Sequence, residues 1–197
     1  MFAKYLAFDT ETTGLDSLKN NLLTVCFVIL DDKLQELTRF SYNIKHDEYT
    51  LSTKAMKVNK IDLIEHEKNA LTIKEANKDL TSKLKKLNAE YRLVPIAHNI
   101  SFDISFIKNS GLLPEHEYSK YISYNGLDTI VLCQFSKLTG VLPSDLSISL
   151  VSLCKYFDID YTGKLHTCET DILITIEILK RIGNFQIVSN SKKRKIC

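Results

Sequence analysis

The spacing of apolar positions changes as the chain is read from its N-terminus. Up to residue 44 the apolar residues come in short runs. Segments 4–8, 22–30 and 34–44 have the length and the β-branched or aromatic content of strands, and Asp31-Asp32-Lys33 reads as a turn between the last two. Further on, the spacing lengthens to three and four. Ile73, Ala76, Leu80, Leu84 and Leu87 mark one face of an amphipathic helix over 73–87. "LVPIAH", residues 93–98, returns to a short buried strand, with Pro95 pointing to its edge or start. A helix over 101–109 stops before Gly111. Residues 121–124 form a small strand candidate, and helices are expected at 127–138, 146–157 and 169–181. Three strands, then strands alternating with helices, predict an α/β domain built on one mixed sheet covered by helices. The domain is expected to span 1–184. The remainder, 185–197, ends in "SNSKKRKIC", which has charge without periodicity and reads as a disordered tail.

Acids interrupt this pattern in three places. In "YLAFDTETTGL", residues 5–15, Asp9 and Glu11 follow an apolar run and lie two apart. If the strand continues, they point to the same side. Two neighbouring carboxylates repel, and one keeps its proton unless a cation compensates; a solvated acidic turn is the other reading. In "AHNISFDISFIKNSG", residues 97–111, Asp103 shares a helical stripe with Phe106 and Ile107. It either needs a partner there or is an N-terminal charge favoured by the helix dipole. His98 and Asn99, at the strand-to-helix junction, could bond a ligand or order the loop. In "GKLHTCETDILITIEILKRIG", residues 163–183, Asp171 lines up with Ile174, Ile178 and Ile182, Thr167 is a candidate N-cap, and His166 enters from the preceding loop. Oxygen-rich carboxylate clusters suit Mg²⁺ or Mn²⁺.

Composition narrows the setting. Of 197 residues, 44% are hydrophobic and 25% charged, the ordinary globular range. A net charge of +2 neither demands nor excludes nucleic acid. The five cysteines are scattered without a C-x-x-C pair, which argues for buried thiols in a reducing compartment rather than a disulfide scaffold. No signal peptide is expected, and no apolar run approaches the roughly 20 residues that span a membrane. The expectation is a soluble protein with no membrane partner, cytoplasmic, or nuclear in a eukaryotic host. The "KKRK" of the tail could serve as a nuclear signal, a phosphate-binding arm or a solubilising end.

The three acidic stretches resemble, in order and spacing, the motifs of the DEDDh exonucleases, the group that holds the proofreading subunit of bacterial DNA polymerase III, the animal three-prime repair exonucleases and ribonuclease T. "FDTETTGL" resembles the D-x-E element, "HNISFDISFI" the H-N-x-x-F-D element, and "HTCETD" the H-x-A-x-x-D element, with Cys168 where alanine is usual. "STKAMKVNKIDL", residues 52–63, resembles the segment before the family's first long helix, with Asn59-Lys60 in place of its usual His-Gly pair. "LDTIVLCQ" and "SLVSLCKYFDI" resemble the two helices before the third motif, so the likeness runs to about residue 182.

The resemblance implies a ribonuclease-H-like fold, a five-stranded mixed sheet with helices on both faces. It implies Asp9, Glu11, Asp103 and Asp171 as ligands of two divalent metal ions, Mg²⁺ or Mn²⁺, and His166 as general base. It makes Thr10, Thr12, Thr13, Gly14, Leu15, His98, Asn99 and Phe102 the substrate-binding candidates, although Phe102 also reads as a plain core residue. The expected activity is 3′-to-5′ hydrolysis of single-stranded or frayed DNA to nucleoside monophosphates. "DTETTGL" leans toward DNA, because oligoribonucleases of the family typically carry "DLEMTGL". The alternatives are trimming of RNA ends and, in a different class, a catalytically silent module that binds nucleic acid or a polymerase. A proofreading role would require a separate DNA polymerase subunit as partner.

Overall fold

The computed structural model describes residues 4–87, 92–160 and 167–193, with side chains in the last segment described as far as Gly183. The described residues form five strands and eight helices. They run β1 (Tyr5–Thr12), β2 (Leu22–Leu30), β3 (Glu36–Asn43), α1 (Thr53–Asn59), α2 (Leu63–Glu67), α3 (Ile73–Leu87), β4 (Val94–Ala97), α4 (Ile100–Asn109), α5 (Glu115–Tyr121), β5 (Leu127–Asp128), α6 (Thr129–Leu138), α7 (Leu150–Phe157) and α8 (Cys168–Lys193).

The strands make one sheet in the order β3-β2-β1-β4-β5. β1 to β3 form an antiparallel meander, and β4 and β5 add parallel to β1. This is the mixed sheet with helices on both faces that the motifs imply. β2 is buried along almost its whole length, which is why "LLTVCFVIL" shows no alternation. One face of the sheet, with Leu6, Phe8, Val25, Phe27 and Ile29, packs under α3, α4 and α5. The other, with Ala7, Cys26, Val28 and Ile96, packs under α8, whose Ile174, Ile178 and Ile182 carry α6 and α7 in turn. Helix starts follow local chemistry. Thr72 and Glu75 form a reciprocal capping box ahead of α3, and Ser149 caps α7.

Four features depart from the sequence reading. The fifth strand is Leu127–Asp128, while 121–124 contributes only the isolated bridge Leu93↔Ile122. Pro95, expected at an edge or start, is the second residue of β4, a strand with a neighbour on each side, and itself pairs only with Leu6 of β1. The two differences have one cause. Leu93 N–H donates to Tyr121 O and Val94 N–H to Lys4 O, so the next donor toward β5 would be that of Pro95, which has none. Pairing therefore stops after Leu93, the chain loops out, and pairing resumes at Ile96↔Leu127. The short helices α1, α2 and α5 were not legible as helices. Lastly, the backbone of α8 runs to Lys193, into the segment expected to be a disordered tail; 194–197 lie outside the described residues.

The four described cysteines, Cys26, Cys133, Cys154 and Cys168, are buried free thiols. Among the described residues no helix is long and apolar enough to cross a membrane.

Candidate active site

β1 does not stop at Phe8 but carries its extended backbone to Thr12, taking both acids with it. Asp9 stands opposite Cys26 and Glu11 opposite Thr24, so both point toward the start of α8. Thr10 points to the other face, where its hydroxyl donates to Asp103 Oδ1 at 2.7 Å. Asp103 lies in the first turn of α4 and is only 3% exposed. Asp171 lies in the first turn of α8, whose approach is shaped by Thr167, which accepts the Thr170 N–H.

These carboxyl groups sense one another. Burial, then the charges of Asp171 and Asp103, push Glu11 up to about 8. Burial raises Asp9 well above the usual range, helped by Asp103, Asp171 and Glu11. Burial also lifts Asp103 to about 7, against the pull of its hydrogen bond from Thr10. Among the described residues, no ion pair involves Asp9, Glu11 or Asp103. Oxygens of Asp9 and Glu11 and the Cys168 sulfur lie within 4.8 Å of one another. Hard carboxyl oxygens, crowded, partly buried and without a countercharge, are a donor set that fits a divalent cation.

Beside the acids lies a cavity of about 220 Å³. Thr10, Glu11 and Thr12 line it from β1, and Leu15, Ala55, Val58 and Phe102 give it apolar walls. Phe102 packs against the core, its ring tilted by 49° against that of Phe106, and it also lines the cavity. Ser52, Lys54, Ala55, Val58 and Asn59 complete the lining; their segment, 52–63, was singled out only for its resemblance to the stretch before the family's first long helix, not as substrate-binding. Asn59 Nδ2 donates to Thr12 O at 3.0 Å, tying α1 to β1. Lys60 closes α1 in the left-handed region (φ 57°), the conformation that a glycine adopts without steric cost.

Other candidates are placed differently. Thr13 is fully buried, its hydroxyl donating to Thr50 O and accepting from Asn21 N–H, so its side chain laces the loop after β1. At Gly14 any side chain would collide with that of Asn20, which bonds Thr50 O and Asp16 N–H. Leu15 is exposed at the cavity mouth. His98 does not line the cavity; its Nδ1 bonds Thr129 Oγ1 at 2.8 Å, and burial lowers its pKa. Asn99 is held left-handed at φ 72°, and its backbone N–H donates to Asp128. His166 lies outside the described residues.

Asp128 was also missed. Its carboxylate accepts from Asn99 N–H (3.1 Å), Ile100 N–H (3.0 Å) and Ile130 N–H (2.8 Å), capping α4 and α6 together. It thereby fixes the helix that delivers Asp103. The only sequence signal was an acid directly before the apolar helix pattern at 129, an N-cap cue.

The fold is similar to that of E. coli exonuclease I in complex with a dT13 oligonucleotide, with a TM-score of 0.76, 16% identity, and coverage of 96% of this chain and 43% of that one. Exonuclease I from Methylocaldum szegediense gives 0.72, 15%, 88% and 39%. At such identities the likeness is one of fold, and the chain spans about two fifths of the length of those proteins. Comparison with curated protein sequences gave no match. A family model described as exonuclease, RNase T, matches residues 6–179. That stretch holds all three acidic motifs and nearly all of the folded chain, which therefore belongs to the RNase T exonuclease family.

Proposed function

We propose that this chain is a 3′-to-5′ exonuclease that hydrolyses phosphodiester bonds at the 3′ end of single-stranded or frayed DNA and releases nucleoside monophosphates. The observation that carries this reading is the convergence of Asp9, Glu11 and Asp103, from a strand and a helix, into one unneutralised cluster beside an apolar cavity. Family membership supports the reaction class. The dT13 oligonucleotide held by E. coli exonuclease I supports single-stranded DNA as substrate.

Asp9, Glu11, Asp103 and Asp171 would hold two divalent cations, Mg²⁺ or Mn²⁺, which when bound supply a hydroxide at neutral pH and neutralise charge on the phosphate and leaving oxygens. The remaining tasks fall to the chain. Leu15, Val58 and Phe102 offer the terminal base apolar surfaces that accept any sequence. Glu11 borders both cluster and cavity, so a nucleotide seated in the cavity brings its phosphate to the acids. Thr10 holds Asp103 through its hydroxyl. His166 takes the proton from the attacking water, a role suited to imidazole with its ordinary pKa near 6.5. That assignment rests on the motif "HTCETD". Paired with a separate DNA polymerase subunit, the same activity would serve proofreading.

The test is hydrolysis of a 5′-labelled single-stranded DNA oligomer with Mn²⁺, Mg²⁺ or EDTA, beside the matching RNA. A metal-dependent ladder shortening from the 3′ end on DNA, lost in His166→Ala, is the expected result. Strong preference for RNA would transfer the reading to RNA ends. Equal activity in wild type and Asp9→Ala would refute the enzyme reading of this site.

A further inference from the structure

Cys168 opens α8 and is 2% exposed. Its sulfur reaches the Asp9 carboxylate and the Cys26 thiol, and it lies 3.7 Å from Thr24 O. Cys26 and Thr24 belong to β2, whereas Asp103 is held from the opposite face of the sheet through Thr10. The sulfur and the two β1 carboxylates are mutually within 4.8 Å, so a soft donor stands inside a cluster of hard ones. Alanine, usual at this place in the motif, would supply no donor.

We propose that Cys168, Asp9 and Glu11 form a capture site for a thiophilic divalent cation of the zinc class, whose occupation silences the carboxylate cluster. The proposal rests on the reading of Asp9 and Glu11 as cation-binding residues. Magnesium prefers an octahedral shell of oxygens at about 2.0–2.1 Å and gains nothing from sulfur. Zinc binds thiolate at about 2.3 Å and carboxylate oxygen at about 2.0–2.2 Å, so its tetrahedral donors sit roughly 3.5 Å apart. Donors already within 4.8 Å reach that spacing by side-chain rotation. As the zinc–sulfur bond forms, the thiol gives its proton to solvent. The ion then holds one thiolate and two carboxylates, with water completing the tetrahedron. Asp9 and Glu11 are drawn toward β2, and Asp103 and Asp171 lose the ligands they share with them. For equal donors zinc also outcompetes manganese.

Cadmium reports such a site directly, because a cadmium–thiolate bond absorbs in the ultraviolet. Titration of the metal-free full-length chain with Cd²⁺ is expected to develop that band. Cys168→Ala is expected to remove it and to weaken Cd²⁺ binding, measured by calorimetry, by roughly 10–100-fold or more. Cys168→Ser, which keeps the side-chain size, should behave in the same way. Mn²⁺ binding followed by electron paramagnetic resonance should persist in both variants, which establishes that they are folded with their carboxylates in place. No band in wild type, or a band of full strength in Cys168→Ala, overturns the proposal. Nuclease activity with Mg²⁺ is read on the same wild-type preparation. Its absence beside an intact Cd²⁺ band would refute the exonuclease reading and leave the capture site standing.

Discussion

Asp128 and the pair Asp9 and Glu11 stand at the ends of strands that run parallel and finish at the same edge of the sheet, yet the backbone treats them differently. Asp128 accepts three backbone N–H groups that would otherwise be orphaned at two helix starts. Among the described residues no backbone N–H reaches the carboxylates of Asp9 or Glu11, and their nearest charges are other acids. One acid is consumed by the fold. The others are left crowded and without a countercharge, and hold their protons above the usual carboxylate range unless a cation takes their place. Burial alone does not separate structural from functional acids; what satisfies them does.

The contrast can be broken most sharply at Asp9. Asp9→Asn is expected to lower the hydrolysis rate by well over about 10²-fold, the scale of losing one group that stabilises developing charge. It should also raise the melting temperature in EDTA, because it removes an ionisable group that folding must desolvate beside other acids. Unchanged activity, or a lower melting temperature, would place Asp9 with Asp128 among the structural acids.

Next in size is the dependence on pH. Glu11 moves from 4.5 to about 8 and Asp103 from 3.8 to about 7 on folding. The folded chain therefore binds more protons than the unfolded chain between those limits, and stability falls as pH rises through them. In EDTA the melting temperature should be higher near pH 5 than near pH 8, a window set by these values. Saturating Mn²⁺ should flatten that decline. Equal slopes with and without Mn²⁺ would show that the acids do not share a cation.

Asp128→Ala should have the smallest effect on chemistry and a clear one on stability, about 2 kcal/mol from unpaired N–H groups. For a domain of this size that corresponds to roughly 4–8 °C in melting temperature. A thermal melt unchanged within error would mean that water replaces the cap.

The acids of the site could be read from the sequence because each violates a period. Asp9 and Glu11 break an apolar strand, and Asp103 and Asp171 break apolar helical stripes, so the anomaly is local. Asp128 breaks nothing, since an acid before a helix is ordinary, and its second role at α4 depends on β5 lying beside β4. The cavity wall from α1 was hidden for a similar reason. The segment 52–63 was recognisable by its resemblance, but nothing local shows that Ala55, Val58 and Asn59 form a wall until Asn59 is seen bonding Thr12 O. β5 itself was masked by a missing N–H on another strand, at Pro95, which no local pattern around residue 127 reveals.

The position of β1 at the junction of the antiparallel and parallel halves of the sheet sets the order in which the protein can come alive during folding. Its pairing with β2 is local, whereas its pairing with β4 joins residues 5 and 94. Long-range parallel pairing is intrinsically slow, because the intervening chain must be closed before contacts reward it. Asp9 and Glu11 reside on the early half, Asp103 on the helix that follows β4, and Asp171 later still. Recovery of activity after denaturation should then lag behind recovery of the β1 to β3 meander. A nascent chain would remain inert as a nuclease until α8, which carries Asp171, has been made.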